Sequence, residues 1–285
     1  MLPRLCFSAL FLLLAYSHSV SGQQAFSPGL EKVIPPRIVP DSLDGLPVFD
    51  LRSMHHNMPF DGESLTYNVR YGILSAGEAK LTVAPGPDYG DRPTWRVVGT
   101  GRSTGAFDWV FRVRDHYESH VDREGLFPHR FIRRVREGGY RMERDIDFHP
   151  ARRTAKVSQD GNVDYRLLPA YCQDLVSSFY YARSLALDRM MPGEVLEVPT
   201  LVDGEIHPVR ARMMGRETVQ VPNGTYDCWH FTPVVQEGRI WKDADDLSVF
   251  VTADHRRIPV LVKSDLVVGS IRLELIEDAS TFLSH

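Results

Sequence analysis

The chain has 285 residues, with 33 Lys and Arg against 37 Asp and Glu, a formal charge of −4, and 43% hydrophobic residues. This is the composition of a globular chain able to bury one large core, and its acidic balance excludes a general nucleic-acid binder, which needs excess cations. The basic residues from Arg130 to Arg153 alternate with Glu137, Glu143, Asp145 and Asp147, so they read as the solvated face of strands.

Met1-Leu-Pro-Arg4 is a short basic start; an apolar run from Leu5 to Tyr16 follows, and small residues lead to Val20-Ser21-Gly22. That is the pattern of a secretory signal peptide cut before Gln23, since a bilayer-spanning helix needs about 20 apolar residues. Residues 1–22 are expected to be a leader and the mature chain to be exported, periplasmic and without a transmembrane segment. Residues 23–58 carry Pro28, Pro35, Pro36, Pro40 and Pro47 with little periodicity, which predicts an irregular N-terminal arm. One β-rich domain is expected over 59–285.

In that domain Leu65, Tyr67, Val69 and Tyr71 alternate with polar residues at the strand period, and Glu78–Val83 reads as the return strand after Gly72 and Gly77. Strands are predicted at 94–101 and 111–122. A hairpin of 130–136 and 140–148 across Glu137-Gly138-Gly139 follows, then a strand at 152–159 ending at Asp160-Gly161. Further strands are predicted at 195–202, 207–214, 217–221, 226–235, 247–252, 258–264 and 269–277. Asp203-Gly204 and Asn223-Gly224 are hairpin signals, because Gly and Asn tolerate positive φ. One segment departs from this meander. Leu175, Val176, Phe179, Tyr180, Ala182, Leu185 and Ala186 recur at helical spacing behind Asp174, a natural N-cap, and Met191-Pro192-Gly193 ends the run. The expected fold is mainly β: a large curved antiparallel sheet or open half-barrel with one covering α-helix at about 174–187.

Two cysteines follow the leader, Cys172 and Cys228. In an oxidising compartment such a pair is expected to be bridged, and closing so long a loop is worth roughly 4 kcal/mol in chain-entropy models; two buried thiols are the alternative.

Several blocks, in order, resemble the family of the domain of unknown function DUF3108. Phe60-x-x-Glu63-x-Leu65-x-Tyr67-x-Val69-x-Tyr71-Gly72 with Ala76-Gly77-x-Ala79 resembles its opening, and Asp174-Leu-Val-Ser-Ser-Phe179-Tyr180-Tyr181-x-Arg183 its helical block. Gly215-Arg216-Glu217-Thr-Val219, Pro222-x-Gly224-x-Tyr226-x-Cys228, Asp254-x-x-Arg257-Ile258-Pro259 and Gly269-Ser270-Ile271 resemble its C-terminal part. The resemblance implies an exported bacterial envelope protein with no assigned reaction, cofactor or catalytic residue. A fold-level likeness to the curved-sheet lipoprotein carriers of the periplasm implies a cradle for acyl chains.

The side chains that carry chemistry are sparse. Gly101-Arg-Ser103-Thr-Gly105 matches a hydrolase elbow, but that mechanism requires a parallel α/β sheet and partner residues that the neighbouring strands do not suggest. His116 and His120 share a strand face with Glu118, yet about 13 Å separates residues four apart on a strand, too far for one ion. They read as exposed strand histidines, and His55-His56 has no third ligand nearby, so no metal and no cofactor are expected.

Glu63, Glu78, Asp174 and Glu217, with Arg183, Arg216, Arg256 and Arg257, can form buried ion pairs that orient a headgroup or act as a general acid or base, but a helix cap at Asp174 and strand-end ion pairs are the favoured explanation. Phe179, Tyr180, Tyr181, Trp109, Phe111, Trp229, Phe231 and Trp241 line an apolar pocket or fill a core. The candidate ligand set is Phe179, Tyr180, Trp229, Phe231, Glu63, Arg183 and Glu217. Two readings follow. One is a non-enzymatic binder of an amphiphilic envelope component, a lipid or glycolipid, or of a partner protein, in the sheet's concavity. The other is an envelope hydrolase or transferase using Ser103, Glu63 or Glu217. A third makes the chain a scaffold bound through its Pro-rich arm.

Overall fold

The computed structural model describes residues 38, 45–56, 58–234, 247–265 and 269–281; the leader, most of the Pro-rich arm and Trp241 lie outside them. The elements run β1 (Ser64–Tyr71), β2 (Leu74–Pro85), β3 (Thr94–Ser103), α1 (Gly105–Val110), β4 (Arg114–Asp122), β5 (Pro128–Glu137), β6 (Tyr140–His149), β7 (Thr154–Gln159) and β8 (Asn162–Leu167). After α2 (Leu175–Ser184) come β9 (Val195–Val202), β10 (Glu205–Val221), β11 (Gly224–Pro233), β12 (Leu247–Thr252), β13 (Pro259–Asp265) and β14 (Ser270–Asp278).

All fourteen strands form one antiparallel sheet in which each pairs with its sequence neighbour, except that β1 also pairs with β14 and β8 and β9 are left as the two edges. The alternating residues noted in the sequence point to one face: Leu65, Tyr67 and Val69 join Val97, Tyr117, Phe131, Ile146, Phe148, Leu273 and Leu275 in a single buried cluster. A sheet this wide can gather one face into one core only by curling. Bulges in β1, β10, β12 and β4 supply the bends, because an extra residue on one strand increases local twist. The result is an open barrel, the half-barrel expectation carried nearly to closure.

The helix α2 crosses the interior from the edge strand β9 to β4 and β3. Asp174 caps it with a full capping box, accepting from the Ser177 and Val176 amides at 2.8 and 2.7 Å, while Ser177 Oγ accepts from the Asp174 amide. Ser119 on the inner face of β4 donates to the same carboxylate at 2.6 Å, which ties the helix start to the sheet. Burial pushes the Asp174 carboxyl up to about 6, against the downward pull of these hydrogen bonds. The helix stops at Ser184, short of the predicted 187. Leu185 turns extended, Arg257 takes the carbonyls of Arg183 and Leu185, and Leu187–Arg189 forms a separate 3-10 turn. Leu187 then packs with Met213 and Phe231 in a second, smaller apolar cluster.

Local differences from the predicted elements have plain causes. Asp160-Gly161 and Asp203-Gly204 both take positive φ, giving the expected tight hairpins, and Asp160-Gly161 leads into β8, a strand that weak alternation concealed. At the β10–β11 turn the corners are Pro222 and Asn223, and only Gly224 has positive φ, since proline fixes the first corner at negative φ. The predicted strands 207–214 and 217–221 are one strand with a bulge at Met213/Gly215. The predicted strand at 111–122 begins only at Arg114, and α1 precedes it.

Candidate functional site

The predicted ligand set separates into three places. Glu63, Arg183, Tyr180 and Phe179 meet in the core. Arg183 holds Glu63 bidentately at 2.9 and 2.6 Å, Tyr180 donates to Glu63 at 2.8 Å, and Arg183 also donates to the Arg256 carbonyl at 2.8 Å. Phe60 and Tyr180 pack edge to face, and both rings lie 4.9 Å from the guanidinium. Burial works to discharge Arg183, but the adjoining Glu63 carboxylate keeps its pKa above normal. With both partners fully buried and paired, this cluster ties α2 to β1 and leaves little room for a headgroup.

Trp229 and Phe231 lie elsewhere, in the cluster with Leu187 and Met213, and Arg216 stacks over Trp229 at 5.1 Å. Glu217 is exposed beside His230, 2.8 Å from Nδ1. Among the described residues Trp229 and Phe231 pack in a cluster separate from the one that takes Phe179 and Tyr180, and none of the four lines the polar cleft.

Ser103 ends β3 with α1 behind it, but α1 has only six residues and the sheet is antiparallel. The hydroxyl donates to Asp108 at 2.6 Å and accepts from the Val113 amide at 2.9 Å. Arg114, and then Ser103 itself, hold Asp108 down to about 2, too weak a base to activate the serine. His120, expected to be exposed, is buried: Glu118 lies 2.9 Å from its Nε2 and Tyr89 Oη 2.7 Å from its Nδ1. Arg96 grips the other side of Glu118 at 2.6 Å, and burial notwithstanding, Arg96 and His120 hold that carboxyl down to about 2. Among the described residues no group of three His, Cys, Asp or Glu is arranged to hold a metal.

Cys172 and Cys228 are separate buried thiols, not the expected bridge. Cys172 precedes Gln173, which bridges Thr200 on β9, whereas Cys228 is on β11, with β10 between. Strands about 4.8 Å apart put such positions beyond the roughly 6 Å Cα separation a disulfide allows. Burial pushes both thiols up to about 12.

Two inward charged residues near a polar cleft, Arg133 and Arg144, are ones the sequence placed on the surface. Arg133 is 4% exposed and Arg144 8%, and both point inward. The signal was present: Arg133 is in phase with Phe131 and Val135, and Arg144 with Met142, Ile146 and Phe148. Arg144 and Arg133 are direct cross-strand partners. Both bind Asp203 on the β9–β10 turn, Arg133 at 3.0 Å, so one carboxylate spans the seam from β5 and β6 to the far edge of the sheet. Arg144 also bonds Gln159, and Arg166 bonds Asp164 at 2.9 Å. Around them opens a cleft of about 310 Å³ lined by Arg144, Gln159, Asn162, Asp164, Arg166 and Asp203. At the same end, next to the β5–β6 turn, lie the buried Asp115 and Glu137. Burial, then the Glu137 carboxylate, push Asp115 up to about 7, so the pair holds a proton near neutrality. The arrangement offers both donors and acceptors at the open end of the barrel, suited to gripping a polar group.

Over residues 66–276 the chain matches the model of a family described as protein of unknown function (DUF3108). It is similar in fold to a β-barrel-like protein of the domain of unknown function DUF1849 from Brucella abortus, with TM-score 0.53 and 10% identity over 79% of this chain and 100% of that one. A protein with a YmcC-like fold from Bacteroides fragilis aligns at TM-score 0.30 and 11% identity, over 82% of this chain and 100% of that one. No curated protein matches the chain.

Proposed function

The chain belongs to the DUF3108 family, and from that premise we propose that it is a non-enzymatic periplasmic binding protein that grips the polar head of an amphiphilic envelope component, a glycolipid or lipid, in the mouth of its barrel. The leader-like first 22 residues support export. No helix among the described residues is long and apolar enough to cross a membrane.

The observation that carries the reading is the polar cleft with its buried arginines. Two buried arginines, Arg144 and Arg166, line the cleft, and arginines buried at a cavity wall are costly to retain for packing alone. The cleft reaches the lower end of ligand-site volumes, which start near about 300 Å³. Asp, Asn, Gln and Arg together suit a sugar or phosphorylated sugar, each of which presents both donors and acceptors.

Native mass spectrometry of the protein purified gently from its own envelope, followed by extraction of whatever dissociates, tests this. A stoichiometric amphiphile that is lost in Arg144→Ala and kept in Ser103→Ala supports the reading. A bare polypeptide mass, or a ligand indifferent to Arg144, rejects it. Turnover of an envelope substrate that stops in Ser103→Ala would favour the hydrolase instead.

A further inference from the structure

The end of the barrel that holds the polar cleft is also its most apolar outer surface. The β1–β2 turn carries Ile73, 87% exposed, and Leu74; α1 carries Trp109, 94% exposed, and Val110; the β5–β6 turn adds Tyr140. These three connections point the same way, because alternate turns of an antiparallel meander share an end. α1 sits beside the start of β2, with the Thr104 amide bonded to the Ala76 carbonyl at 3.1 Å. The apolar tips therefore flank one another along the rim. A soluble chain seldom leaves a tryptophan so bare on a short helix.

Just behind the tips, three pairs of neighbouring strands each carry two arginines directly opposite each other. They are Arg70 and Arg272 on β1 and β14, Arg102 and Arg114 on β3 and β4, and Arg136 and Arg141 on β5 and β6. All face outward by strand alternation. Like charges in cross-strand register destabilise a sheet, so three such pairs at one level are not explained by folding. Glu274, Glu78, Asp108 and Glu143 neutralise part of the belt, whereas Arg112, Arg141 and Arg272 make no ion pair among the described residues. The acidic rim residues Asp160, Asp164 and Asp203 lie on the far side, at the seam.

We infer that this rim docks on an anionic bilayer surface. Ile73, Leu74, Trp109 and Val110 enter the headgroup layer, and the arginine belt behind them meets lipid phosphates. Apolar side chains at an interface backed by basic ones are what such a surface recognises, with the arginine stems lying along the apolar zone and their heads in the phosphate layer. The polar cleft opens at the same end of the barrel, on the side away from these tips, so docking brings that end of the molecule to the membrane surface. In that respect the inference rests on the binding role proposed above, but docking itself does not require it.

Sedimentation of the exported chain with vesicles of phosphatidylcholine alone, and of phosphatidylcholine with phosphatidylglycerol, provides the test. About tenfold stronger partition to the anionic vesicles is expected, falling with salt. A blue shift of tryptophan emission is expected with it, and Trp109→Phe should remove the shift while keeping the binding. Ile73→Ser with Trp109→Ser, at exposed positions that do not threaten folding, should cut partition about tenfold, and Arg112→Ser with Arg141→Ser should remove the anionic preference. Equal partition to both vesicles, or partition unchanged by the rim variants, overturns the inference. So does a concentration-dependent dimer abolished by Trp109→Ser, which would make the rim a self-association surface. Vesicle binding by a protein whose mouth is empty in mass spectrometry would remove the binding role alone; a filled mouth without vesicle binding would remove docking alone.

Discussion

At the scale of single residues, burial decides what each charge is worth. Glu63 and Arg183 are both fully buried, so breaking the pair strands one charge in the core. Glu63→Gln keeps a partner for Tyr180 but not for the guanidinium, and should lower unfolding stability by about 3 to 5 kcal/mol in urea titration. The double variant Glu63→Leu with Arg183→Met should lose less than the two single losses combined, since an apolar pair leaves no stranded charge.

Asp115 gives a pH signature. Its native carboxyl titrates at about 7 against an ordinary 3.8, so the folded chain binds its proton more tightly than the unfolded chain. The stability this contributes is full below about 4 and is lost as pH rises through about 7. Asp174, raised to about 6, acts in the same sense, while Glu118, held near 2, adds stability as pH rises from about 2 to 4.5. Urea midpoints measured from pH 4 to 8 should therefore fall, and Asp115→Asn should flatten most of that slope. An unchanged slope would contradict the assignment. The thiols supply a third check. Cys172 and Cys228, buried and pushed up to about 12, should resist maleimide in the native protein and both react after unfolding without reductant.

Among the elements, α2 is the one whose position depends on a single side chain. Asp174 caps two amides and accepts from Ser119 across the interior. Asp174→Ala should cost about 1 to 2 kcal/mol, toward the upper end for a cap because a sheet contact goes with it. The loss should be visible as faster amide exchange in 175–184 than in β1 or β14. Asp174→Asn should recover part of it, because the amide side chain still caps. The bulge in β10 is the other decisive local feature. It moves Met213 to one face and Val219 to the other, which lets one long strand serve both apolar clusters.

For the whole molecule the question is what stops an open barrel from unrolling along the β8–β9 seam. Among the described residues β8 and β9 do not pair with each other, and β9 is tied to the rest of the barrel by α2, the Gln173–Thr200 bridge and the Asp203 contacts to Arg133 and Arg144. Asp203→Ala leaves two inward arginines without their shared acid. Because Asp203 is itself 44% exposed, the global loss should be smaller than for Glu63→Gln. The local effect should be larger: hydrogen exchange should rise in β7, β8 and β9 while β1, β2 and β14 stay protected. Uniform exchange across the sheet would mean that the Asp203 contacts do not hold the open edge.

Period-two alternation and glycine turns determined, from the sequence alone, the all-β class and most strands from 64 to 278, together with Asp174 as the start of the covering helix. Those are local properties of spacing and backbone, and they survive any tertiary arrangement. The helix α1, the strand β8 and the separation of Cys172 from Cys228 were not legible, since each depends on neighbours distant in the chain. The polar mouth was half legible. Arg133 and Arg144 stood in phase with apolar neighbours, but strand alternation assigns a residue only to one of two faces. Curling of the sheet decides which face is inside and brings Asp203, sixty or so residues further on, against both arginines. Pairing of β1 with β14 and the passage of α2 across the interior set the cavity and the rim, and no local pattern encodes either.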